Sequence, residues 1–195
     1  MSDDLCLLLP KLNIGVHELE WVKELKYLGV VFVAGKKLSV NIDLNCKKFL
    51  GTSFAILQKC KYLSEEVLCK LILTNCLPTL LYGVDFVSLM KGQIKRMSVA
   101  FNTVFRRIFN MSKFSSMRII YNFIGTKTLD CIYDERCFCL FRNCFTSSFE
   151  LLRFCSLFAS SQRDLNFKYD VHLGLSVGAI KQQVALFFRE SLGLS

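Results

Sequence analysis

The run from Gln93 to Asn110 constrains this chain most, because it permits one regular structure. Ile94, Met97, Phe101, Val104, Phe105 and Ile108 recur at three- and four-residue steps, the spacing that lines one face of an α-helix. Lys95, Arg96, Asn102, Thr103, Arg106 and Arg107 fall on the other face. The apolar face requires a core, and the basic face has no carboxylate at helical spacing to neutralise it. One segment thus predicts both a packed helical domain and a cationic surface on it.

The charge pattern extends that surface. Net charge is +9, and from Phe86 to Leu129 there are eight Lys or Arg (Lys91, Lys95, Arg96, Arg106, Arg107, Lys113, Arg118, Lys127) with no Asp or Glu. A second acid-free stretch, Leu44 to Ser64, carries Lys47, Lys48, Lys59 and Lys61. Segregated positive charge is the footprint of a phosphate-facing surface, and a solvated basic face without a ligand is the alternative.

The remaining elements follow from periodicity and caps. Val22 to Leu25, then Lys26-Tyr27-Leu28-Gly29-Val30 and Val31 to Val33, read as a β-hairpin bent at Gly29 and closed by a Gly35-Lys36-Lys37 turn. Asn41-Ile42-Asp43 caps a helix to about Tyr62, with Cys46, Phe49, Leu50, Ser53, Ile56, Leu57 and Cys60 inward and Lys47, Lys48, Gln58 and Lys59 outward. Ser64 caps the next helix. Leu71 to Met90 contains only one charge, Asp85, and has membrane-spanning length. Pro78 is expected to divide it into two buried helices; a span remains the alternative, although Lys70 and Lys91 flank both sides alike.

A short helix over Ser115 to Phe123 leads to a turn at Gly125. Thr128 then caps a long helix, Leu129 to Phe158. Cys137, Leu140, Phe141, Cys144, Phe145, Phe149, Leu152 and Phe154 make that helix apolar almost all round. It is therefore either buried among other elements or covered by a polypeptide partner. A polar linker from Ser160 and an amphipathic helix from Gly178 to Glu190 complete the chain. The expected fold is mainly α: a remnant with the β-hairpin (1–40), a helical bundle (41–159), then linker and terminal helix (160–195).

Composition excludes several chemistries. A 52% hydrophobic content is incompatible with disorder. The ten cysteines include no Cys-x-x-Cys pair, and neither His17 nor His172 has metal-ligand spacing to a cysteine. Reduced, mostly buried thiols are expected, with zinc as the alternative. Met1-Ser2-Asp3-Asp4 is acidic where a signal peptide is basic, which points to an intracellular protein, nuclear or cytoplasmic, rather than a secreted one. Gly125-Thr126-Lys127-Thr128 lacks the upstream glycine of a P-loop, and no Gly-x-Ser-x-Gly occurs.

Two motifs in order carry a family resemblance. Lys26-Tyr27-Leu28-Gly29-Val30, a basic helical region, and Leu77-Pro78-Thr79-Leu80-Leu81-Tyr82-Gly83-Val84-Asp85 resemble the reverse transcriptases of LINE-type (non-LTR) retrotransposons. In that family a K/R-Y-L-G-V hairpin closes the palm, a P-x-L-L-Y-G-x-E/D helix follows, and the subsequent helices form the thumb. The resemblance covers Asn13 to about Phe145. Asp3-Asp4-Leu5-Cys6-Leu7-Leu8 also looks like the family's catalytic Ala-Asp-Asp run without its aromatic residue.

The resemblance implies nucleotidyl transfer at two metal ions held by carboxylates. Asp3 and Asp4 would be a remnant of that site, but the partner aspartate, the fingers and most of the palm are missing. Mg²⁺ is therefore expected only if a complete palm were supplied. The sequence reading is a truncated reverse-transcriptase-like protein, catalytically inactive alone, that holds an RNA or RNA/DNA template-primer by its backbone. Lys26, Tyr27 and Gly29 would lie near the primer end. Lys36, Lys37, Lys47, Lys48, Lys95, Arg96, Arg106 and Arg107 would supply the electrostatic grip. A non-enzymatic helical interaction protein, or a decayed retroelement reading frame, is the second reading; a membrane protein with a span near 71–90 is the third.

Overall fold

The computed structural model describes residues 12–15, 17–34, 39–87, 89–150 and 152. Asp3, Asp4, Lys36, Lys37, His172, the linker and the terminal helix lie outside these residues. The chain is mainly α, as the periodicity indicates, with small antiparallel sheets preceding the helices.

β1 (Leu12–Ile14) pairs with β2 (His17–Leu19), and β3 (Glu24–Tyr27), β4 (Val30–Val33) and β5 (Ser39–Val40) form a second sheet in the order β3-β4-β5. The β3–β4 hairpin turns through two residues, Leu28 at φ +46° and Gly29 at φ +80°. Two positive φ values are the type I′ geometry, whose twist matches that of the strands. Gly29 takes it without strain, whereas Leu28 does so against its own Cβ. The third strand was not anticipated from the sequence. The register sets Tyr27 opposite Val30, Leu25 opposite Phe32 and Phe32 opposite Val40, so these five side chains share one face. Val30 and Val40 are buried from that face against Val87, while Leu25, Tyr27 and Leu28 stay exposed.

α1 (Ile42–Lys59) starts at Asn41, whose side chain accepts from the Asp43 N–H at 3.2 Å. α2 (Glu65–Leu71) runs into a π-helical turn (Ile72–Cys76) and then α3 (Leu77–Leu80). Pro78 thus does not divide Leu71 to Met90 into two helices. It has no N–H to give the preceding turn, and the backbone widens instead, so that the Leu77 N–H reaches Ile72 O, five residues back. The helix ends at Leu80, and Leu81 to Val87 form turns. The span near 71–90 is accordingly not a single helix, and among the described residues none is long and apolar enough to cross a membrane.

The turns are pinned from two sides. Buried Asn45 of α1 donates to Leu80 O at 3.3 Å and Tyr82 O at 2.8 Å. Tyr133 donates to Val87 O at 3.0 Å, and Arg136 grips the Asp85 carboxylate through Nη2 at 2.7 Å. Both latter residues belong to α6 (Leu129–Phe145), which opens on Thr128 as expected, its hydroxyl accepting from the Cys131 N–H.

α6 stops thirteen residues short of Phe158. Thr146 turns its hydroxyl onto Arg142 O at 3.0 Å, and Ser147 accepts from the Phe149 N–H, local bonds that compete with helix continuation. Its apolar residues Leu129, Tyr133, Cys137 and Phe141 pack into the main core, so in this stretch the burial alternative holds. Phe149 and Leu152 are exposed. The core is completed by α4 (Lys91–Ile108) and α5 (Arg118–Ile124), with Phe49, Phe101 and Phe105 at its centre, the last two in edge contact at 4.7 Å between ring centroids.

Candidate nucleic-acid interface

α1 and α4 lie side by side and run in the same direction. Asp43 meets Arg96 near their N-terminal ends, Phe49 stacks on Phe101 at 6.3 Å in the middle, and Phe54 to Lys61 face Thr103 to Arg107 beyond. The helices bury Phe49, Phe101 and Phe105 against the core and leave an open groove of about 770 Å³ on their outer side. Gly51, Phe54, Ala55, Leu57 and Gln58 line it from α1, and Thr103, Arg106 and Arg107 from α4. Lys61, Met111 and Lys113 close the far end.

Four cations, Lys61, Arg106, Arg107 and Lys113, therefore line one concavity that contains no carboxylate. The side chains of Lys61 and Arg107 make no ion pair or hydrogen bond among the described residues. Arg106 donates through Nε and Nη2 to Ser115 O at 3.2 and 3.1 Å, so it also tethers the loop that carries Lys113. Such a site can attract and orient an anionic backbone through point charges and forked donors.

The expected binding residues divide between two places. Arg106 and Arg107 line the groove. Lys47 and Lys48 are exposed on α1, and Lys47 lies four residues before Gly51, which continues the groove-lining stripe toward the helix start. Lys95 is exposed on α4. Arg96 is not available as the uninterrupted basic face implied: its Nη1 is 3.0 Å from Asp43 Oδ1, a pair the helix-by-helix spacing could not show. Lys26, Tyr27 and Gly29 are exposed on the hairpin, and none of them lines the groove. The hairpin meets α1 at its start, so the groove's Gln58 lies roughly 24 Å farther along that helix at 1.5 Å per residue.

Lys61 and Lys113 belong to the basic windows in sequence, but the expected binding residues do not include them. For Lys61 the signal was present, since it sits on the Lys47, Gly51, Phe54, Gln58 stripe. For Lys113 there was none, because a loop after α4 places it.

The eight described cysteines are free thiols, with Cys69, Cys76, Cys131 and Cys137 buried. Burial, reinforced by Glu65, pushes Cys69 up to about 12. Cys46 is likewise raised by burial and by Asp43. Among the described residues no group of three His, Cys, Asp or Glu could hold a metal ion. Compared with known proteins, no family model, curated protein or solved structure matches this chain significantly.

Proposed function

We propose that this chain binds nucleic acid through its phosphate backbone, without reading sequence, in the groove between α1 and α4. The observation that carries this reading is the convergence of Lys61, Arg106, Arg107 and Lys113 on one open concavity with no carboxylate. The reading agrees with the resemblance of Lys26 to Val30 and Pro78 to Asp85 to LINE-type reverse transcriptases, whose thumb-like helices hold template and primer. The activity proposed is binding without polymerisation by this chain alone.

Charge reversal tests it. Arg107→Glu combined with Arg106→Glu should weaken binding of a fluorescent oligonucleotide at least tenfold at moderate salt. It should also flatten the slope of log affinity against log salt by about 0.7–0.9 for each phosphate contact removed. Unchanged affinity and slope would overturn the reading.

A second reading has its own observation. Leu25, Tyr27 and Leu28 of the hairpin and Tyr82 beside it are all exposed, an apolar cluster suited to a polypeptide partner. A helical interaction protein would retain its partner after the Arg106 and Arg107 reversals and lose it on Leu25→Lys.

A further inference from the structure

One exposed aromatic ring lines the groove and two more directly follow its lysines in the chain, and this names the kind of nucleic acid that fits. Phe54 lines the groove itself with 41% of its surface exposed. Lys61 is followed by Tyr62, which is 99% exposed, and Lys113 by Phe114, which is 86% exposed. The Lys113 ammonium lies 4.9 Å from the centre of the Phe114 ring, so charge and ring stand side by side at the groove's basic end. Exposed rings of this size serve no core, and two of them directly follow two of the groove's four cations in the chain.

A grip on the backbone of a duplex alone has no use for such rings. The bases of a duplex are stacked on one another, and a protein that grips only the backbone of a helix needs cations and small donors. An unpaired strand presents bases whose faces are free, and every base can stack on an aromatic side chain whatever its identity. Resting on the phosphate-binding reading above, we propose that the occupant of this groove is a single-stranded nucleic acid, its phosphates held by Arg106, Arg107 and Lys61 and its bases stacked on Phe54, Tyr62 and Phe114. The groove is open rather than enclosed, which suits a strand that enters and leaves at its two ends.

The test uses the full chain, a fluorescent oligothymidylate of about a dozen nucleotides, a duplex of equal length, and an abasic strand with the same number of phosphates. Single strand should bind at least tenfold more tightly than duplex, and the abasic strand should lose most of that advantage. Tyr62→Ala and Phe114→Ala should each weaken single-strand binding by about 5- to 150-fold with an unaltered salt slope, and leave duplex binding unchanged. Equal affinity for the strand and its abasic counterpart, or for strand and duplex, would overturn the proposal. That comparison uses unaltered protein and so does not depend on how the variants fold. If the arginine reversals weaken binding while the aromatic variants do not, phosphate binding stands and base stacking fails. If the arginine reversals have no effect, the phosphate reading itself fails.

Discussion

The Tyr82 hydroxyl donates to the carbonyl of Leu28 at 2.9 Å, joining the turn of the hairpin to the turns that follow α3. Leu28 is one of two described non-glycine residues with positive φ, and the bond from Tyr82 lands on that strained peptide. The segments Lys26 to Val30 and Pro78 to Asp85 are thus partners in one joint. The glycine beside Tyr82 completes it: Gly83 sits at φ +70°, and Val30 packs directly over it.

That packing makes Gly83 the least tolerant of a side chain among the described glycines. A Cβ there would lie inside the van der Waals envelope of Val30 Cγ2 and 3.2 Å from Cγ1, in a backbone conformation that L residues avoid. Gly83→Ala should cost about 2–4 kcal/mol, the sum of overpacking and a disfavoured φ. Tyr82→Phe, which removes one exposed hydrogen bond, should cost only about 0.5–1 kcal/mol. Urea unfolding measures both, and a Gly83→Ala midpoint equal to the parent's would refute the close-packed joint.

Periodicity and caps made most of the helical frame legible. Asn41 and Thr128 cap where their side chains predict, and Ile94, Met97, Phe101, Val104, Phe105 and Ile108 all turn toward the core. What could not be read was tertiary. Pro78 announces a missing hydrogen bond but not the π-helical turn that absorbs it. Arg96 and Asp43 are 53 residues apart, so their pairing depends on the parallel packing of α1 and α4. The groove was half legible for the same reason: each basic window is visible in the chain, while their convergence is a property of two helices and a loop.

Asn102 shows a further gap between helical wheel and fold. It falls on the polar face of α4, yet α5 covers it, and the Tyr121 hydroxyl donates to its side-chain oxygen. Burial pushes Tyr121 up to about 12, against its ordinary value of 10.0. An unfolded tyrosine ionises near 10, so between pH 10 and about 12 the unfolded chain has released a proton that the folded chain retains. The stability contribution is complete below pH 10 and declines as pH rises, by at most roughly 1.4 kcal/mol per unit. Tyr121→Phe should lower stability at pH 8 by about 1 kcal/mol for the lost hydrogen bond, yet fall less steeply from pH 10 to 11.5. Cys69, also raised by burial, is common to both proteins, so their difference isolates Tyr121. Parallel urea-derived stability curves for parent and variant would disprove this assignment.

The Asp43–Arg96 pair joins α1 to α4 near the N-terminal ends of both helices, outside the groove's lining, and it restrains the charge available to a ligand. Both side chains are 57% exposed, so the pair itself adds little stability. Asp43 also occupies the first turn of α1, where a carboxylate favours the helix dipole by a few tenths of a kcal/mol. Asp43→Ala should therefore lower stability by no more than about 1 kcal/mol. Its effect on binding should run the other way. Arg96 would be released, and positive charge would run along α4 from Arg96 to Arg107. If the groove holds a phosphate backbone, affinity should rise severalfold and the salt slope steepen by about 0.7 for one added contact to a single strand. Asp43→Ala with Arg96→Ala should return both to near the parental values, because the gain belongs to the freed guanidinium and not to the loss of an acid. Fluorescence anisotropy across a salt series separates these outcomes: a gain that persists in the double variant would mean that Asp43 acts through the field of the whole surface and that Arg96 contributes no contact.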